Sequence, residues 1–101
     1  GMCGELADQV FHLVGDDSRC ASLYVEGLLL NPEWDYHMVA LVDGLVHDAW
    51  LPGPPLTPAA WVAATAGGCP VTVSLNGEDV YTGDGDKFPV DWAPPAATIK
   101  P

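Results

Sequence analysis

Apolar residues recur at helical spacing near the start of the chain. Leu6, Val10, Leu13 and Val14 follow the i, i+4, i+7, i+8 pattern of one buried face and predict a helix over 3–14. Gly15 is placed to cap its C-terminus, and Gly15-Asp16-Asp17-Ser18 reads as a loop. The pattern from Cys20 to Leu30 fits two elements: a helix capped by Asp17 or Ser18, or a strand. A strand over Ala21–Leu29 is the preferred reading, because the next segment is a hairpin that needs sheet partners. Gly27 sits awkwardly in either element, and Asn31-Pro32-Glu33 is a turn. Trp34 to Trp50 then reads as the hairpin, with Asp43-Gly44 as a type I′ turn. That turn pairs Val42 with Leu45, Val39 with Asp48 and His37 with Trp50. Leu51-Pro52-Gly53-Pro54-Pro55 ends the second strand. Thr57 as N-cap and Pro58 in the first turn start a helix that runs through Ala64 and stops before Gly67-Gly68. Pro70–Leu75 alternates like a strand, Asn76-Gly77 turns it, and Glu78–Thr82 returns. Beyond Gly83 the chain is rich in Asp, Gly and Pro and is expected to wrap the surface irregularly. No repeat or linker divides it. The expectation is one small domain over 1–101, of α+β class, with an N-terminal helix packed on an antiparallel sheet of about five strands and a short helix after the third.

Composition supports a packed domain. A chain of 101 residues buries roughly 65% of its extended surface, enough for one core. The 49% apolar content and four tryptophans exclude a disordered chain. No apolar run approaches the ~20 residues of a membrane span. Gly1 before Met2 resembles an expression scar, and nothing at the start resembles a signal peptide. The expected location is therefore cytoplasmic, with an excised domain of a longer or exported protein as the alternative. Low lysine with abundant Ala, Gly, Pro and Asp suggests a GC-rich bacterial source.

The formal net charge is −11, and Arg19, Lys87 and Lys100 are the only strong bases. That balance argues against nucleic-acid phosphates and anionic membranes as partners. It permits a basic partner, although solubility is the simpler explanation. The three cysteines, Cys3, Cys20 and Cys69, form no CxxC and no metal-like spacing. Free thiols in a reducing compartment are expected, with no metal site. Asp84 and Asp86 lack the spacing and the closing Glu of a calcium loop.

The hairpin carries the candidate chemistry. In the register above, His37 and Asp48 are diagonal neighbours on one face, within side-chain reach. A histidine oriented by a carboxylate supplies two parts of a nucleophilic triad. Cys3, in the first turn of the N-terminal helix, is the preferred third part. There the unpaired N–H groups and the helix dipole favour a thiolate, and the N–H groups of Cys3 and Gly4 could serve an oxyanion. Cys20 is the alternative nucleophile, beside Arg19 if its segment is helical and a small buried side chain if it is a strand. Trp34 and Trp50 are candidate walls of a substrate pocket, with core packing as their simpler role. Cys69 reads as structural, while His47 and Asp35 fall on the opposite face of the hairpin from His37.

These residues resemble the papain-like and transglutaminase-like superfamily of cysteine hydrolases, in which a cysteine on a helix is followed by a histidine on a strand and an aspartate on the next. Cys3-Gly4-Glu5-Leu6-Ala7 resembles the nucleophile helix of papain-fold toxins and protein-glutamine deamidases. Trp34-Asp35-Tyr36-His37 resembles the signature of N-terminal glutamine amidohydrolases. Asp43-Gly44 with Val46 and Asp48 is similar to the hairpin these groups share, and Leu56 to Trp61 is similar to a proline-plus-tryptophan segment of the deamidases. The resemblance covers roughly residues 3 to 61. It implies a minimal papain-like fold, a Cys3 nucleophile, a His37 base and an orienting Asp48. It further implies an amide or acyl substrate on a protein or peptide, loss of ammonia or an amine, hydrolysis of a thioester, and no cofactor. Acyl transfer by the same residues and a non-catalytic acidic binding module on the same fold are the alternatives.

Overall fold

The computed structural model describes residues 2–95. Its elements are α1 (Met2–Val14), β1 (Cys20–Gly27), β2 (Tyr36–Val42), β3 (Leu45–His47), α2 (Pro58–Ala66), β4 (Pro70–Leu75) and β5 (Glu78–Asp84). Short 3-10 turns occupy Asp17–Arg19 and Gly85–Lys87. The strands form one antiparallel sheet in the order β3-β2-β1-β4-β5. The fold is therefore α+β, with the N-terminal helix preceding a five-stranded antiparallel sheet, as the sequence predicts.

Side-chain alternation divides the molecule into three layers. On one face, Cys20 of β1 and Ala40 and Val42 of β2 meet Ala7, Val10, Phe11 and Val14 of α1. On the other, Leu23 and Val25 of β1, Val39 and Leu41 of β2 and Val71 and Val73 of β4 pack under Trp61, Val62 and Ala66 of α2. This second face holds the larger core. Trp61 is fully buried in it, although its helix is otherwise mostly alanine.

Local chemistry fixes the connections. Asp43 and Gly44 have φ of 52° and 82°, and Asn76 and Gly77 have φ of 49° and 86°, so both hairpins close through type I′ turns. Arg19 grips Asp43 through two N–H groups, with Nη2–Oδ2 at 2.6 Å and Nε–Oδ1 at 3.0 Å, which ties the start of β1 to the turn. Thr57 caps α2 by accepting from the Ala60 N–H at 3.2 Å, with Pro58 in the first turn.

Three expectations are corrected. The first strand is Cys20–Gly27 and not Ala21–Leu29. It ends where Gly27 adopts φ +140° and where a Cβ would stand 2.6 Å from the Pro70 carbonyl oxygen, so the awkward glycine is a close-approach terminus. The second hairpin strand is only Leu45–His47, and Val39–Asp48 and His37–Trp50 are not ladder pairs. The Asp48 carboxylate instead accepts the Trp50 N–H at 2.9 Å, a local turn that takes the chain out of the sheet. Val46 and Leu56 then exchange two backbone hydrogen bonds after the intervening excursion. Finally, the segment after Gly83 is irregular but not merely superficial. Phe88 is buried and meets Tyr81 and Trp92 edge to face, closing the end of the larger core.

Candidate active site

The short third strand leaves Tyr36–Val39 of β2 with no β3 residue in register. The candidate residues gather around that stretch. His37 lies on the α2 side of the sheet, opposite β1's Val25, and is 1% exposed. Its Nε2 is 2.8 Å from Asp48 Oδ2. The same oxygen accepts the Trp61 indole N–H at 2.9 Å, while Oδ1 takes the Trp50 backbone N–H. The Asp48 side chain is only 3% exposed.

These contacts assign protons. The indole and the backbone amide can only donate, so Asp48 is matched as an ionised acceptor. Burial pushes its pKa up, but hydrogen bonds from His37, the Trp50 amide and the Trp61 indole outweigh burial and hold it below 3.8. His37 then donates from Nε2, which leaves Nδ1 as the nitrogen able to exchange a proton with another group. The imidazole is clamped as well as bonded. Trp34 stacks on it with ring centroids 4.1 Å apart and 17° between planes, and Trp61 lies 6.0 Å away on a tilt.

A cleft of about 250 Å³ opens here, lined by Cys3, Trp34, His37 and Trp50 together with Met2, Glu33, Asp35 and Tyr36. Cys3 is half-buried in the first turn of α1. That helix occupies the opposite face of the sheet from His37, with Gly4 against Met38. Cys3 and His37 thus border one cleft at the edge of β2 and do not share a face of the sheet. Among the described residues, no hydrogen bond joins them. Trp50 is half-exposed at the mouth, 6.0 Å from Trp34 in an edge-on contact.

The other candidates lie apart. Cys20 is paired with Val42 at the far end of β2, on the α1 face and 1% exposed. Burial pushes its thiol pKa up. The alternative nucleophile is therefore removed from His37 both along the strand and across the sheet. Cys69 belongs to the turn after α2, where its N–H donates to the Ala66 carbonyl. His47 lines a separate cleft of about 260 Å³ with Val10, Val46 and Leu56. Asp35, expected on the opposite face of the hairpin from His37, also lines the cleft that Cys3 and His37 border. Trp61 is the member that sequence reasoning did not assign to the site; the available signals were a large indole alone on an alanine-rich helix and the likeness of Leu56 to Trp61 to the proline-plus-tryptophan segment of the deamidases. Among the described residues, no group of three His, Cys, Asp or Glu side chains is placed to hold a metal ion. None of the described helices is long and apolar enough to cross a membrane. No protein-family model, curated protein or solved structure matches the chain.

Proposed function

We propose that the protein is a small cysteine-dependent amide hydrolase of the papain-like kind, acting on glutamine side chains of a protein or peptide. One observation carries the reading: a buried imidazole, held on Asp48 at Nε2, borders the same cleft as a half-buried thiol in a helix's first turn. A fixed His–carboxylate pair beside an accessible sulfur matches the needs of nucleophilic acyl chemistry.

The steps balance without a further reagent. His37 Nδ1 takes the Cys3 proton, and Sγ forms a bond to the amide carbon. Backbone N–H groups at the start of α1 serve the oxyanion. The C–N bond breaks as His37 returns the proton to the leaving nitrogen, releasing ammonia and leaving a thioester. Water then adds to the thioester carbon while His37 accepts its proton. The C–S bond breaks, giving a carboxylate and restoring the thiol. Asp48 balances the imidazolium in both halves, and Trp34 and Trp50 wall the acyl group. An added amine replacing water would make the same residues an acyl transferase, which product analysis with and without amine separates.

The test combines ammonia release from a glutamine peptide with the pH profile of iodoacetamide alkylation at Cys3, resolved by mass. Cys3→Ala and His37→Ala should each abolish ammonia release. His37→Ala should also suppress alkylation at low pH. Ammonia release retained in both variants would remove the hypothesis. A second reading, a non-catalytic acidic binding module, is favoured by the 1% exposure of His37 and by α1 lying on the other sheet face. It predicts Cys3 alkylation that is indifferent to His37.

A further inference from the structure

The cleft has an asymmetric charge. Glu33 and Asp35 flank Trp34 on the strand approach, both exposed, and both line the space that Cys3 and His37 border. No cation offsets them among the described residues. Arg19 is engaged by Asp43 at the other end of β2, and Lys87 lies 3.7 Å from Asp84. The chain's net charge of −11 adds a negative field around this opening. Two aromatic side chains stand at the rim: Trp50, 51% exposed, and Tyr36, 40% exposed with one ring face stacked on Tyr24. Carboxylates interleaved with exposed aromatic faces suit lysine and arginine side chains, through ion pairing and cation–π contact with their stems on the rings. A target glutamine is itself neutral, so this chemistry must address its neighbours.

We propose that the substrate segment is basic: a glutamine flanked by lysine or arginine, with Glu33 and Asp35 as the residues that select it. This rests on the amide-hydrolase reading for the fate of the glutamine, but the docking stands on the cleft's charge and shape. The reaction would reinforce the selection. Hydrolysis converts a neutral carboxamide into a carboxylate, so the product is one charge more negative and is repelled by the cleft that recruited the substrate.

The experiment uses the full chain carrying Cys3→Ala and two labelled peptides of equal length, one glutamine flanked by lysines and one flanked by glutamates, read by fluorescence anisotropy. The lysine peptide should bind at least about tenfold more tightly at low salt, and the gap should close in 1 M salt, where the Debye length is about 3 Å. Glu33→Gln with Asp35→Asn should reduce the preference to about twofold or less. Glu78→Gln with Asp91→Asn removes the same charge away from the cleft and should leave the preference near tenfold. Equal binding of the two peptides, or equal loss of preference in both double variants, overturns the proposal. Selective binding of the lysine peptide with no ammonia released by the unmutated protein would leave basic docking standing and remove the hydrolase reading alone.

Discussion

Replacing Trp61 by phenylalanine keeps an aromatic body under the sheet and deletes one N–H. That N–H lies 2.9 Å from Asp48 Oδ2, between a fully buried indole and a carboxylate 3% exposed. A hydrogen bond to a charged group contributes about 1.5–3 kcal/mol. The smaller ring leaves a void that adds about 1 kcal/mol. Trp61→Phe should therefore lower stability by about 2.5–4 kcal/mol at pH 7, with Asp48 still held by His37 and the Trp50 amide. The two contributions separate by pH. Asp48 has a depressed folded-state pKa, so its stabilisation is present above the unfolded value of 3.8 and is lost as pH falls through the folded value. Deleting one donor makes that depression smaller. The hydrogen-bond part of the deficit should thus shrink in acid, while the void part, about 1 kcal/mol, persists. Urea unfolding followed by far-ultraviolet circular dichroism at pH 7 and near pH 3 measures both, provided the m-values agree. A deficit under about 1 kcal/mol at pH 7, or one of the same size at both pH values, would refute the assignment of the indole as a donor to an ionised Asp48.

Gly27→Ala forces a Cβ to 2.6 Å from the Pro70 carbonyl at φ +140° and should cost about 2–4 kcal/mol in chemical denaturation. Phe88→Ala opens the end of the larger core and should cost about 3–5 kcal/mol, with Trp92 fluorescence shifting toward that of an exposed indole. Cys20→Ala should cost about 1 kcal/mol and leave Cys3 alkylation and ammonia release intact, because Cys20 fills the α1 layer away from His37; loss of either activity would restore it as a candidate nucleophile.

Short-range signals carried much of the fold. The two Xaa-Gly turns, the Thr57-Pro58 helix start and the α1 periodicity are each decided by residues close in sequence, and each stands in the structure. Three features depend on residues far apart and were not legible. Gly27 is required by the backbone of β4, which no local pattern announces. Phe88 is one aromatic inside an Asp-, Gly- and Pro-rich tail, and it is buried against Tyr81 and Trp92. Trp61 reaches Asp48 only once α2 lies across the sheet. The meeting of His37 with Asp48 is instructive, because it was anticipated from a ladder that ends before Asp48. Counting outward from the Asp43-Gly44 turn put the two residues side by side, and their neighbourhood survives although their ladder pairing does not.

The break in that ladder links the fold to the site. An aspartate at this position can accept the amide two residues ahead, and here it does so in preference to continuing an extended strand. Had the strand run on, β3 would cover the edge of β2 beside His37, and the Asp48 side chain would be fixed by the pleat alone. The turn has three consequences. It ends β3 at His47, it leaves the Tyr36–Val39 edge where the cleft forms, and it aims one carboxylate oxygen at both the imidazole and the indole. A single side chain thereby terminates a strand, exposes the route around the sheet edge to Cys3 and fixes the proton on Nε2 of His37. Asp48→Ala should consequently disturb backbone course and imidazole tautomer together, whereas Trp61→Phe, which spares the Trp50 amide contact, separates the electrostatic role from the architectural one.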